Sequence, residues 1–146
     1  MADRRRNTIF RKILVGFDGS TQSQKAADLA IGLARATDAS VLVFAVARPP
    51  EPATSVELEA VIDEARQHYE DGFKSIVEKA RQDGVELTTE VAVGHPAEQI
   101  IHKAETAKAD LVILGRRGTS MFEKWILGSI SERVLRYAHC PVMVVR

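Results

Sequence analysis

Unbroken hydrophobic runs mark the first elements of the chain. They occupy Lys12–Phe17, Val41–Val46 and Leu111–Leu114, and each run is bounded by a polar or glycine residue on at least one side. Apolar runs of this length are typical of strands that are buried on both faces, as in a parallel sheet. The more alternating segment Glu86–Val93 predicts an edge strand that is half exposed to water, and Pro141–Val145 predicts a last short strand.

Between these strands the apolar residues recur every three to four positions, which predicts four helices. Residues with strong positional preferences mark where these helices begin or end. They are Ser20 or Ser23 before the first helix, Gly84 after the second, Pro96 at the start of the third and Gly128-Ser129 at the start of the fourth.

The alternation of strands and helices predicts one α/β domain. Parallel strands joined by helical crossovers give an open, doubly wound, Rossmann-like sheet, here with five strands and four helices on both faces. We assign residues 1–10 to a polar N-terminal arm and residues 11–146 to the domain. In such a sheet a ligand binds beyond the carboxyl ends of the strands, where the strand order reverses. Asp18 and Gly115 end the first and fourth predicted strands.

Composition narrows the classes of partner. The chain has 146 residues, 45% of them hydrophobic, which is enough for one buried core. Basic and acidic residues number 20 each, so nothing indicates a nucleic-acid partner, which would need a basic excess. Cys140 is the single cysteine, which suits a reducing cytoplasm. We expect no membrane span and, because the four histidines do not cluster with other ligands, no structural metal.

The candidate chemistry follows the fourth strand. Gly115 and Gly118 come first, and after nine intervening residues Gly128 and Ser129 open the last helix. A helix start presents free backbone N–H groups and the positive end of a dipole, which suits a phosphate. The first two glycines allow a positive φ and a close approach of the backbone to a ligand. Ser129 and Ser131 add hydroxyl donors.

This spacing resembles the nucleotide-binding motif of the universal stress protein family, in its ATP-binding branch. The resemblance runs from about Arg11 to Arg146 and is carried by KILVGFDGS, VLVFAV, GHPAEQII, ADLVILGRRG and LGSISERVLRYAHCPVMVV. It implies the strand order 3-2-1-4-5, which makes the first and fourth strands neighbours. It also implies a homodimer that forms through the C-terminal strand.

The same resemblance implies a site for ATP, or for ADP or AMP, with Mg²⁺. Asp18 would hold the ribose or adenine side, although a carboxylate at a strand end is often only a turn former. The other implied contacts are Gly16, Phe17 and Val46 around the adenine, Leu114, Gly115 and Gly118 along the adenosine, and Gly128, Ser129, Ile130 and Ser131 at the phosphates.

The function we expect is that of a sensor or regulator in the stress response. Ser129 has no adjacent base, and no acid pair is placed to hold Mg²⁺ for phosphoryl transfer.

A slow ATP-hydrolysing or adenine-nucleotide-using enzyme is the alternative. A nucleotidylyltransferase or adenylating ligase should carry HxGH or SGGxDS after the first strand, where this chain has GFDGSTQS. A receiver domain needs an aspartate after the third strand, where Gly94 stands. A family member that binds no nucleotide and only scaffolds partners also stays open.

Overall fold

The computed structural model describes residues 9–49, 55–116 and 128–146. The elements alternate as the sequence predicts. They are β1 Lys12–Gly16, α1 Thr21–Thr37, β2 Ser40–Ala47, α2 Ser55–Gln82, β3 Leu87–Val93, α3 Pro96–Thr106, β4 Leu111–Gly115, α4 Ser129–Tyr137 and β5 Val142–Val145. Most of the predicted N-terminal arm lies outside the described residues, but Phe10 packs against the core. Within the described ranges no helix is long and apolar enough to cross a membrane.

The sheet has the order β3-β2-β1-β4-β5, and every neighbouring pair is parallel. The predicted doubly wound topology is therefore confirmed. Strand β1 lies in the centre, with Ile13 opposite both Val41 of β2 and Leu111 of β4. Consequently the carboxyl ends of β1 and β4 lie side by side at one edge of the sheet.

Helices cover both faces of the sheet. One apolar cluster lies between the sheet and α1 and α2, and a second lies between the sheet and α3 and α4. The two clusters take alternate residues of the central strands, so that Val15 belongs to the first and Leu14 to the second. Strands β3 and β5, at the two ends of the sheet, are less buried. The side on which each helix packs decides which loops meet at the carboxyl edge.

Helix α1 begins in a small network of side-chain hydrogen bonds. Ser20 is its N-cap residue and accepts a hydrogen bond from the backbone N–H of Ser23 at 3.1 Å. The Asp18 carboxylate accepts one from the backbone N–H of Ser20 at 2.9 Å. The buried Ser23 hydroxyl donates to the Ser20 carbonyl at 2.9 Å. Of the two serines considered as caps, Ser20 therefore caps the helix, and Ser23 braces the loop from inside.

Gly115 allows the first turn of α1 to lie directly on the end of β4. A Cβ at this position would lie 2.6 Å from both the Gln22 carbonyl oxygen and the Ser23 backbone nitrogen. Gly115 does not use the positive φ that a glycine allows, because the described glycines with positive φ are Gly19, Gly84 and Gly94. Glycine is required at residue 115 by the close approach of two backbones, whereas its φ would suit other residues.

We predict that Gly115→Ala destabilises the fold by roughly 1–3 kcal/mol, the usual cost of inserting atoms into a packed region. Backbone atoms of α1 would have to move, and they cannot rotate away as a side chain can. Gly32→Ala is the matched control, since a Cβ there meets nothing within 4 Å and alanine stabilises a helix interior by about 0.5–1 kcal/mol. Urea unfolding measures both changes. A Gly115→Ala protein as stable as the parent would contradict this packing.

Candidate functional site

A cavity of about 570 Å³ opens at the carboxyl edge of the sheet, between the ends of β1, β2 and β4 and the beginning of α4. This is where the strand order reverses, the place at which open α/β sheets bind ligands. Its lining residues are Gly16, Phe17, Asp18, Ser23, Phe44, Val46, Arg48, Tyr69, Pro96, Ile100, Leu114, Gly115, Gly128, Ser129, Ile130 and Ser131.

The cavity brings together ten of the eleven residues that the sequence predicted for the site. The eleventh, Gly118, lies outside the described residues, as do Arg117 and the bulky residues of the following loop, Met121, Phe122 and Trp125. The ten come from four separate segments: the end of β1, the end of β2, the end of β4 and the first turn of α4. Their convergence is a fact of the fold, and their part in binding a ligand remains a prediction.

One side of the cavity is formed by the start of α4. Gly128 is the N-cap residue, has extended backbone angles, and makes no side-chain capping hydrogen bond. The first helical hydrogen bond joins the Glu132 N–H to the Gly128 carbonyl at 2.9 Å. The N–H groups that precede Glu132 therefore have no acceptor within the helix. Together with the hydroxyls of Ser129 and Ser131 they form a set of donors that suits an anion.

Another part of the lining is apolar and close-packed. Phe44, Val46, Ile100 and Leu114 line it, and each is less than a tenth exposed. Gly16 lets this layer pack tightly, because a Cβ there would lie 2.6 Å from Leu114 Cδ2. A smooth apolar wall beside a small number of polar groups is the usual surface for a planar organic ligand.

Asp18 lies at the end of the cavity that α1 and α2 border. Its carboxylate is half-buried and accepts the Ser20 N–H, so it acts both as a turn former and as a lining residue. Beside it Phe17 packs on Phe73 of α2, with ring centroids 5.4 Å apart. Gly72 makes room for this contact, since a Cβ there would lie 3.1 Å from the Phe17 ring. The contact holds α2 against the cavity.

Six lining residues were not predicted from the sequence: Ser23, Phe44, Arg48, Tyr69, Pro96 and Ile100. A signal existed for two of them, because Arg48 directly follows β2 and Pro96 begins the helix after β3, and both positions belong to the carboxyl edge. Tyr69 lies in the middle of α2 and reaches the cavity only because of the way that helix packs.

Three further residues with polar or reactive side chains do not line this cavity. Arg116 does not line the cavity, and its backbone N–H donates to the Val145 carbonyl at 2.6 Å. His95 is the exposed N-cap residue of α3. Cys140 is half-buried, and burial together with the negative charge of Asp110 raises the pKa of its thiol. A raised pKa keeps the thiol protonated at neutral pH, which is the reverse of what a nucleophile needs.

Metal ligands are not concentrated at this edge in the part of the chain that the structure describes. There, no three His, Cys, Asp or Glu side chains lie together as a group that could hold a metal ion. Asp18 is the one carboxylate among the described residues that line the cavity.

Known proteins resemble this chain over nearly its whole length. The model of the universal stress protein family matches residues 9–146. Universal stress protein MJ0531 of Methanocaldococcus jannaschii is 36% identical over 141 residues, which are 94% of this chain and 83% of that protein. Universal stress protein YxiE of Bacillus subtilis is 36% identical over 148 residues, 94% of this chain and 100% of that protein. The structure of UspA from Lactobacillus plantarum has a TM-score of 0.86 at 26% identity and covers 96% of this chain and 100% of its own.

Proposed function

This chain belongs to the universal stress protein family, and from that premise we propose that it binds an adenine nucleotide in the cavity at the carboxyl edge of its sheet. The ligand would be ATP, ADP or AMP. The protein would act as a sensor or regulator in the stress response, in the cytoplasm, which its single cysteine suits. The convergence of ten residues from four segments on one cavity is the observation that carries the proposal.

Relatives of the same fold support the choice of ligand. Solved universal stress proteins are described as a complex with cAMP, as a complex with dAMP from Archaeoglobus fulgidus, and with AMP bound from Arabidopsis thaliana. Their TM-scores against this chain are 0.74, 0.71 and 0.69. Sequence identities of 20–24% to these structures show only that the fold is shared. The choice of an adenine nucleotide as ligand therefore rests on the residues of this cavity.

The cavity has a polarity that suits such a ligand. The base would lie on the apolar wall that contains Val46 and Leu114, and the ribose would lie near Asp18. The phosphates would accept hydrogen bonds from the backbone at the start of α4 and from the Ser131 hydroxyl. Each neutral hydrogen bond of this kind contributes about 1 kcal/mol net.

Magnesium would enter with the phosphates. Mg²⁺ binds oxygen ligands, keeps several of its waters, and is often held by substrate phosphates and one or two side chains. Ser129 and Ser131 belong to the turn proposed to bind the phosphates, and their hydroxyl oxygens would be the protein ligands of the ion. Bound there, the ion would neutralise phosphate charge.

The side chains of the cavity suit a protein that binds ATP without hydrolysing it efficiently. An efficient phosphoryl-transfer site positions a base for the attacking group and holds metal through carboxylates. The single carboxylate among the described lining residues, Asp18, accepts the Ser20 N–H and lies with the β1 end, whereas the anion donors belong to α4. The remaining alternative is slow hydrolysis, favoured by the same donors because they polarise a bound phosphate.

A second copy of the chain is the partner we propose, joined through β5. This strand forms one edge of the sheet. Its Pro141 and Val145 carbonyls accept N–H groups from Val112 and Arg116 on the β4 side, at 3.0 and 2.6 Å. Residues two apart face the same neighbour, so the backbone groups of Val142 and Val144 point to the open edge. Pairing with the same edge of a second copy about a two-fold axis satisfies those groups in both subunits.

We predict that Asp18→Ala lowers affinity for ATP and AMP about tenfold to a hundredfold, because hydrogen bonds to a charged group contribute about 1.5–3 kcal/mol. Ser20→Ala is the matched control. It removes the N-cap bond in the same loop and costs about 0.5–2 kcal/mol of stability, yet it leaves the carboxylate that lines the cavity. Calorimetric titration gives the affinities, and mass spectrometry of the denatured protein identifies any nucleotide that copurifies. Equal losses in both variants would place the ligand elsewhere.

We predict that ATP hydrolysis is far slower than the roughly 1–10³ s⁻¹ of typical enzymes, because the cavity lacks a positioned base among its described residues. Steady-state release of phosphate from ATP with Mg²⁺ is the measurement. Turnover above about 1 s⁻¹ that disappears in Ser129→Ala would establish the enzymatic alternative.

We predict that Val144→Pro converts a dimer into a monomer. Proline removes the outward N–H of Val144 and leaves the β4–β5 hydrogen bonds in place, and edge strands tolerate proline at such a position. Val144→Thr, which keeps the N–H and nearly the same shape, should remain dimeric. Light scattering at tens of micromolar protein measures the mass, and circular dichroism reports the fold. A monomeric parent chain would refute the dimer, and a folded, dimeric Val144→Pro protein would refute this interface.

A further inference from the structure

A second cavity, of about 380 Å³, continues the first between α3 and α4. Arg48, Pro96, Ser129 and Ile130 line both cavities, so the two form one groove that passes the start of α4. The residues that line only the second cavity are His95, Ala97, Glu98, Glu132, Arg133, Arg136 and Tyr137. The groove therefore extends past the start of α4, where the phosphates of a bound nucleotide are proposed to lie.

The far part of the groove is more basic than the near part. Arg133 pairs with Glu98 at 2.9 Å and Arg136 pairs with Glu132 at 3.4 Å, so the charges of these four side chains balance. Arg48, at the junction of the two cavities, forms no ion pair with a carboxylate among the side chains that the structure describes. The lining of the second cavity thus carries one excess positive charge, which belongs to Arg48.

The charges along the groove therefore change sign. Asp18 lines only the first cavity, at the end bordered by α1 and α2, whereas Arg48 lies with the first residues of α4 at the junction with the second cavity. A nucleoside monophosphate bound as proposed above would end at the α4 donors. Each further phosphate would extend toward Arg48, and a planar guanidinium binds phosphate oxygens in bidentate fashion.

Resting on the proposed function, we propose that Arg48 binds the distal phosphates of a nucleoside di- or triphosphate in the second cavity, and so makes the site prefer ATP over AMP. Arg48 is exposed, which allows it to reach toward the ligand but also lets solvent screen the contact. The preference is consequently moderate, about tenfold, rather than the full value of a buried charge pair.

The test is calorimetric titration of the full chain with ATP, ADP and AMP in the presence of Mg²⁺. We expect the parent to bind ATP about tenfold more tightly than AMP, which is about 1.4 kcal/mol. Arg48→Gln should bring ATP affinity down to that of AMP and leave AMP affinity within twofold of the parent. Arg48→Lys, which keeps the charge but not the bidentate geometry, should retain part of the preference.

Arg35→Gln is the control for a change in net charge. Arg35 lies in the last turn of α1, away from the carboxyl edge, and its loss should not alter the ratio of the two affinities. Equal binding of ATP and AMP by the parent would overturn the role of Arg48 and leave the proposed function standing. An equal loss for both nucleotides in Arg48→Gln would overturn it too. If no adenine nucleotide binds to the parent at all, the proposed function fails as well.

Discussion

Burial of the central strands on both faces determines this architecture. Val15 of β1, Val43 of β2 and Ile113 of β4 are completely buried, and their neighbours along each strand point into the opposite apolar cluster. Neither face can be left to water, so the connections must place helices on both sides. Because β1 is followed by α1 on one face and β4 is followed by α4 on the other, a crevice opens at the carboxyl ends of these two strands. The candidate site is thus a consequence of covering the sheet.

Two helices that begin at this edge, α1 and α4, differ in how the N–H groups of their first turns are satisfied. This difference is what would make the crevice selective. In helix α1 the Ser20 side chain accepts the hydrogen bond of one first-turn N–H, that of Ser23, and the Asp18 carboxylate fixes the preceding turn. Helix α4 begins at Gly128, which has no side chain to do the same. Free donors and a positive dipole end are therefore present at one side of the cavity, and a carboxylate is present at the other. This asymmetry would give a bound adenosine phosphate one favoured direction in the cavity.

Local patterns were sufficient to predict the elements, and contacts between elements were not predictable from them. The apolar runs fixed β2 and β4 to within one or two residues, since a strand buried on both faces leaves a strong signal in the sequence. The strand order, by contrast, came from the family resemblance. The reason for Gly115 was misjudged because the backbone of Gln22, nearly a hundred residues away, is what excludes a Cβ. Tyr69 was missed for the same reason: its place in the cavity depends on the packing of α2.

In the proposed function the cavity would hold its ligand rather than consume it. Binding energy that is spent equally on the ground state and the transition state raises affinity without raising turnover, and donors fixed at a helix start act on both states. A ligand bound between the β1 end and the start of α4 would join elements that pack on opposite faces of the sheet. It would then stabilise the folded chain by RT ln(1 + [L]/Kd), a quantity that follows the concentration of free nucleotide. A protein whose stability and surface respond to nucleotide concentration in this way has the physical property that a sensor requires.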